Sequence, residues 1–345
     1  MKQLLISIIG LTFSLAIVEI GLRILESRSD PAASSWSDRP AFYMRPEASA
    51  TMQDYPITTP KPPGTFRLAV VGDSYSFAPY MQFTDAFPKV LERMLNLNAI
   101  PEKADVINYG VPAYSTSHEI ATVERAIRDG ADAILLQITL NDPEIKPYRP
   151  KGITVFNTFG QLEVTGWKKH ILEHWHTAAF VVQRLHNEKT RRDYITYFND
   201  LFNKKATWDN FESSMRTLVS TARDKQIPIV AAVFPLFGVP VNDSYPFMVC
   251  HDKTNALLTS LAVPHLDLLP LYRNIPIDRL QVIPGVDRHP NEIAHRMAAE
   301  RLYTWLTDEQ PLIPSQFHIR ARFSDRTRIV DEPAYPPPTP SSTAQ

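Results

Sequence analysis

The residues of this chain best suited to covalent chemistry are Ser74, His289 and Asp287, each lying just beyond an apolar run or before a helix-forming one. Ser74 stands in Gly72-Asp73-Ser74-Tyr75, directly after FRLAVV at 66–71. A serine hydroxyl is a weak nucleophile until a base takes its proton. His289, in Asp287-Arg288-His289-Pro290-Asn291, is the histidine placed to be that base. Asp287 can accept a hydrogen bond from its Nδ1, holding the useful tautomer and stabilising the imidazolium. An oxyanion would be met by the backbone N–H of Ser74, the backbone N–H of Gly110 and the side-chain amide of Asn141. Gly110 suits this role because a residue without Cβ lets its N–H come close to a substrate. Singly these signals are weak, since serine after glycine is ordinarily a turn residue and Asn-Asp-Pro a loop start. Their order along the chain carries the inference, which is acyl transfer from an ester through an acyl-serine.

The elements that must position them follow from periodicity. Residues 66–71 read as a buried strand ending in a tight turn. Phe87, Val90, Leu91, Met94 and Leu95 form one helix face, with Thr84 placed to cap it. A second strand is expected at 104–108 and a helix from a Thr116–Glu119 capping box to Asp129-Gly130. A third strand is expected at 133–139, a helix opening at Asp209, and a strand at 228–234. Then come a helix at 254–261, a short strand at 263–268, a loop at 284–291 and a helix at 292–306. Continuous apolar strands alternating with amphipathic helices predict an α/β fold, a parallel sheet with helices on both faces. Each candidate group then falls at the carboxyl edge of the sheet, where such folds place ligands.

Residues 143–206 break the alternation and read as one large insertion, helical from about 167 to 202, packed beside the site as a cap or lid. His170 and His174 share a helical face, but no Glu takes the metalloprotease position and His176 points elsewhere, so no metal site is expected. Cys250 is the single cysteine, which excludes intrachain disulfides and CxxC motifs.

A net charge of −1 with scattered Lys and Arg gives no field for nucleic acid. Residues 4–25 are apolar apart from a few polar positions, Glu19 and Arg23. A cleaved signal peptide would need a small-x-small site that Glu19-Ile20-Gly21-Leu22-Arg23 does not supply, so an uncleaved signal anchor within 1–28 is favoured over a leader. Lys2 at the extreme end, without nearby acids, tips the orientation towards a single-pass protein with its body outside the cytoplasm, in the periplasm. Residues 29–64 carry many prolines and suit an extended tether, 65–310 hold the catalytic domain, and 311–345 form a proline-rich, loosely draped tail.

Gly72-Asp73-Ser74, Asn108-Tyr109-Gly110, Asn141-Asp142 and Asp287-x-His289-Pro290-Asn291 resemble the four blocks of the SGNH (GDSL-type) hydrolases. Ser74, Gly110, Asn141 and His289 match the residues that name that family. The acid precedes the histidine by two residues rather than the commoner three, and Tyr75 replaces the leucine of the GDSL signature. The resemblance implies a flavodoxin-like three-layer α/β/α fold, a hydrolase acting on ester bonds, and no metal or organic cofactor. It points to an acylated small-molecule or carbohydrate substrate, with O-acetyl groups of a cell-envelope or exopolysaccharide sugar as the first candidates. An O-acyltransferase with the same triad and a non-catalytic binding or assembly module are the alternatives.

Overall fold

The computed structural model describes residues 2–28, 54–97, 102–146, 164–284 and 287–318. Helix α1 (Lys2–Arg28) precedes the body, which begins with β1 (Thr65–Val71), the one-turn α2 (Ser74–Phe77) and α3 (Phe87–Leu95). Then follow β2 (Lys103–Asn108), α4 (Thr116–Arg128), β3 (Ala133–Ile138), α5 (Trp167–His174), α6 (His176–Asn203) and α7 (Lys205–Asp224). The chain continues through β4 (Ile229–Val233), α8 (Met248–Ser260) and β5 (His265–Asp267). It closes with β6 (Gln281–Ile283), β7 (Asp287–Pro290) and α9 (Glu292–Thr304).

Five strands form a parallel sheet in the order β2-β1-β3-β4-β5, with Val70 opposite Asn108 on one side and Leu135 on the other. The central strands are mostly apolar because both faces are covered, with Arg67 in β1 and Gln137 in β3 as buried polar exceptions. Leu68 and Val70 pack with Phe87 and Leu91 of α3 and Leu302 of α9, whereas Ala69 and Val71 pack with Val123 of α4 and Met215 and Leu218 of α7. The result is the expected three-layer α/β/α arrangement. Its order reverses at β1 and β3, so the crevice at their carboxyl ends is the natural place for a ligand.

Local expectations differ at several points, among them α8, which opens at Met248 rather than at 254. Thr84 lies in a short 3-10 turn and does not cap α3; the helix begins after Ala86, and His295 Nδ1 accepts the Phe87 N–H at 3.1 Å in place of a local cap. The capping box of α4 is formed by Ser115 and His118, one residue earlier than expected, which releases Glu119 to face inward. Helix α7 opens at Lys205 rather than Asp209. The segment expected to be a loop at 284–291 contains β7, paired antiparallel with β6. Part of the predicted tail also belongs to the body, since Ile313 and Phe317 are buried in the core. Residues 29–53 of the tether, 147–163 of the insertion and 319–345 of the tail lie outside the described residues.

Candidate active site

The serine turn is built by its neighbours on all sides. Asp73 is buried, with Oδ1 accepting the Tyr75 N–H at 2.8 Å and Oδ2 accepting the Thr139 hydroxyl at 2.6 Å. Gln137 Oε1 accepts the Asp73 N–H at 3.1 Å and the Ser76 hydroxyl at 2.8 Å. Asp73 therefore orders the turn and leaves Ser74 at the start of α2. The turn of helix ends with Ala78 in the left-handed region at φ 57°, its N–H donating to the Ser74 carbonyl. No hydrogen bond of the Ser74 N–H occurs among the described residues.

His289 Nε2 lies 3.0 Å from Ser74 Oγ, across 215 positions of sequence. Its Nδ1 lies 2.7 Å from Asp287 Oδ1, and the same carboxylate oxygen accepts the His289 backbone N–H at 2.9 Å. The reason is local: residues two apart in a strand project to the same side, so the extended backbone of β7 lines up acid and base. Arg288 faces the other way and sets its guanidinium over the Tyr194 ring of α6, 5.6 Å from the centroid. Tyr75 meets the His289 ring edge-on at 6.0 Å and stacks on Phe237, whose N–H donates to the Tyr75 hydroxyl at 3.4 Å. The residue that departs from the GDSL signature thus packs against the imidazole. Burial would push His289 down, but the Asp287 charge and hydrogen bond, with Asp73 beyond, carry it above the ordinary histidine value.

The expected oxyanion donors separate. Asn141 follows β3 with its amide oxygen against the Thr139 hydroxyl oxygen, and no hydrogen bond of its Nδ2 occurs among the described residues. Gly110 does not offer a free N–H, because that group donates to Asn108 Oδ1 at 3.0 Å. The glycine is required for another reason. A Cβ there would lie 2.5 Å from the Phe77 nitrogen, 2.7 Å from Ser76 Cβ and 2.9 Å from the Asp73 carbonyl oxygen.

The loop that carries Gly110 turns sharply just beyond it. Val111 N–H donates to the Gly72 carbonyl at 3.0 Å, which fastens this loop to the serine turn, and Tyr114 N–H closes back on Val111 at 3.2 Å. Pro112 has no N–H, and Ala113 takes the left-handed conformation at φ 63°. Among the described residues of this turn, Ala113 holds the N–H without an intrachain acceptor. Proline followed by a left-handed residue is the type II turn pattern, normally Pro-Gly. Pro112-Ala113 is the signal, obscured by the alanine.

Glu119 has the spacing of a capping residue but is instead wholly buried beneath the site, in line with Val123 and Ala126 on the inner face of α4. Asp142 is buried beside it, accepting the Thr116 hydroxyl and the Thr139 N–H, each at 2.7 Å. Burial, together with the neighbouring carboxylates, pushes both carboxyls well above the usual range. Elsewhere, His170, Glu173 and His174 of α5 bring their ligand atoms within 4.8 Å of one another on an exposed face. The discounted pair thus has a carboxylate neighbour at 173 rather than at the metalloprotease position, while His176 stands outside the group.

No family model and no curated protein sequence matches this chain. Solved structures with a similar course include a lipolytic protein of the G-D-S-L family from Desulfitobacterium hafniense, at 11% identity and TM-score 0.40 over 69% of this chain and 97% of that one. An acetylxylan esterase from Geobacillus stearothermophilus matches at 13% identity and TM-score 0.43 over 69% and 92% of the two chains. The protein TesA matches at 12% identity and TM-score 0.40 over 72% and 99%. Likeness at this level does not bear on activity, which has to be read from the site.

Proposed function

We propose that this chain is a serine esterase in which Ser74 is the nucleophile, His289 the general base and acid, and Asp287 the residue that orients and charges the histidine. The observation that carries the reading is the unbroken line from Asp287 Oδ1 through His289 Nδ1 and Nε2 to Ser74 Oγ, with separations of 2.7 Å and 3.0 Å. Both lie within hydrogen-bond reach for proton transfer. Ser74 Oγ adds to the ester carbonyl carbon as its proton passes to His289 Nε2. The oxyanion is received by the N–H of Ser74 and the amide of Asn141. As the carbonyl reforms, the C–O bond to the alcohol breaks and the alcohol leaves with the proton from Nε2. Water then adds to the acyl carbon as His289 Nε2 takes its proton, the C–Oγ bond breaks, the carboxylic acid leaves, and Ser74 recovers its hydrogen from Nε2.

The proposal extends to setting and substrate. Ile6–Leu25 is 20 residues long, apolar enough to cross a membrane and unburied by the rest of the chain, which supports an anchor in the cell membrane; the body is assigned to the outside of the cytoplasm on the Lys2 charge at the extreme end. A catalytic domain held there would meet acylated carbohydrate of the envelope, and we assign short acyl groups, acetyl first, as the ones removed. The test is a fluorophosphonate probe applied to the full chain in detergent, followed by peptide mapping and by hydrolysis of an aryl acetate. Labelling at Ser74, abolished together with hydrolysis in Ser74→Ala, is the expected result. Labelling elsewhere, or hydrolysis undiminished in Ser74→Ala, would remove the nucleophile from the reading.

A further inference from the structure

The first two turns of α6 are a chemical anomaly on the surface. Ala178-Ala179-Phe180-Val181-Val182 is apolar on every side of the helix, yet Phe180 is 51% exposed and Val181 49% exposed, and Leu185 beyond them is 66% exposed. Trp175 at the bend and Trp167 at the start of α5 are 48% and 71% exposed. A helix segment that is hydrophobic all round is normally buried in protein or in lipid. From Gln183 and Arg184 onwards the helix turns polar, with Leu185 the last large apolar residue before Asn187, Glu188, Lys189, Arg191, Arg192 and Asp193. The far end of the same helix buries Tyr194, Phe198, Leu201 and Phe202 in the catalytic core.

What lies next to the apolar end is α1. Glu19 of α1 accepts the His176 N–H at 3.0 Å, the Thr177 N–H at 2.7 Å and the Thr177 hydroxyl at 2.8 Å, so it caps α6 from another element. Arg23 pairs with Glu19 at 2.9 Å and donates to the His174 carbonyl at 2.7 Å. The one carboxylate within Ile6–Leu25 is thereby satisfied by the start of α6 rather than by water. At 1.5 Å per residue, Glu19 stands about 9 Å inside the Leu25 end of that span. Amphipathic helices sink an apolar face about 5–10 Å in from the headgroup and acyl boundary, the region where tryptophan rings collect.

We propose that the α5–α6 elbow, from Trp167 to Leu185, is a second membrane-seated element, sunk into the bilayer interface beside α1, with α6 acting as a rigid strut from lipid to active site. The inference rests on the reading of α1 as a membrane anchor. Lipid is the occupant because the exposed apolar residues of α6 adjoin the span and are joined to it by the Glu19 cap, while Lys168, Lys169 and Arg184 beside them supply the cationic side chains that an interface-seated helix presents to headgroups. The strut is direct: Tyr194 of α6 lies under the Arg288 guanidinium, one residue from His289. From His176 to Tyr194 the helix rises about 27 Å, which sets a fixed height for the site above the elbow. A site held at that height suits acyl groups on membrane-attached or surface-attached glycan better than freely diffusing esters.

The test uses the full chain reconstituted in phosphatidylcholine and phosphatidylglycerol vesicles. Single nitroxide labels are placed through Phe13→Cys in α1, Phe180→Cys and Leu185→Cys in the elbow, and Glu300→Cys on the exposed side of α9. Cys250 can remain, since it is 1% exposed and burial pushes its thiol up to about 12. Collision with oxygen, which partitions into lipid, is compared with collision with a water-soluble nickel chelate. The expected result is oxygen in several-fold excess over nickel at 13, 180 and 185, and the reverse at 300. Nickel dominance at 180 and 185 with oxygen dominance at 13 would overturn the seated elbow and leave the anchor standing. Low collision with both reagents at 180 and 185 would mean that protein covers them, a second copy or another part of this chain, and would also overturn it. Nickel dominance at 13 would dismiss the anchor and the elbow together.

Discussion

Replacing Asp287 by asparagine separates charge from geometry at this site, because one carboxylate oxygen accepts both the His289 Nδ1–H and the His289 backbone N–H. An amide NH2 in that position would face two donors, so the substituted side chain must turn its oxygen to them and keep the imidazole in the same tautomer. What disappears is the charge. A hydrogen bond to a charged acceptor is worth roughly 1.5–3 kcal/mol against about 0.5–1.5 kcal/mol for a neutral one. Asp287→Asn should therefore cost about 1–2 kcal/mol in the transition state, roughly 5–30-fold in kcat/KM at high pH. Asp287→Ala removes orientation as well and should cost most of what a positioned base supplies, roughly 10²–10⁴-fold. The pH dependence has a definite sign. His289 must be neutral to act as base, and its value is raised, so the wild-type rate climbs with pH through a midpoint above 6.5. In Asp287→Asn that midpoint moves to lower pH. Aryl acetate hydrolysis by the two variants across pH 5–9 reads both effects. Equal losses in the two variants, or an acid limb that stays in place in Asp287→Asn, would refute the assignment of Asp287 as the charge behind the base.

Three further outcomes follow from packing and conformation. Gly110→Ala keeps the backbone N–H but drives a methyl into the Phe77 nitrogen and the Asp73 carbonyl, so it should lower stability by roughly 1–3 kcal/mol and displace Ser74 with loss of hydrolysis; urea unfolding and fluorophosphonate labelling measure the two. Ala113→Gly relieves a left-handed alanine and should raise stability by about 1 kcal/mol in the same unfolding experiment while hydrolysis persists. Burial and the neighbouring His289 push His295 from 6.5 down to about 3, so its share of stability is present above pH 6.5 and is lost as pH falls towards 3. Between pH 7.5 and pH 5 the wild type should lose about 2 kcal/mol more than His295→Asn, which keeps an acceptor for the Phe87 N–H but does not titrate.

The sheet is legible because its central strands are dominated by apolar residues, a pattern that burial on both faces favours, and because the turns after β1, β2 and β3 carry glycine or asparagine. Ser74, His289, Asp287 and Asn141 can be named for the same reason: each follows a strand or precedes a helix with strong periodicity. Gly110 misleads because a glycine beside a site invites a functional explanation, and nothing local reveals that its methyl would strike α2. Ala113 is invisible because its left-handed backbone is imposed by the turn against residue type. Glu119 resembles a cap because its offset from Thr116 fits one, whereas a shift of one residue to Ser115 turns it inward. His295 as the partner of a helix 208 positions earlier is a tertiary fact that no window of sequence contains.

Because acid and base share one short strand, they form a single cassette. A displacement of the β6–β7 hairpin as a body would carry both away from Ser74 and leave their mutual bond intact. Such a movement would interrupt proton traffic at one gap only, the 3.0 Å step from Nε2 to the hydroxyl, and restoring it would need no repair of the histidine's own environment. The hairpin therefore concentrates the vulnerability of the whole relay in a single contact between two otherwise self-sufficient pieces.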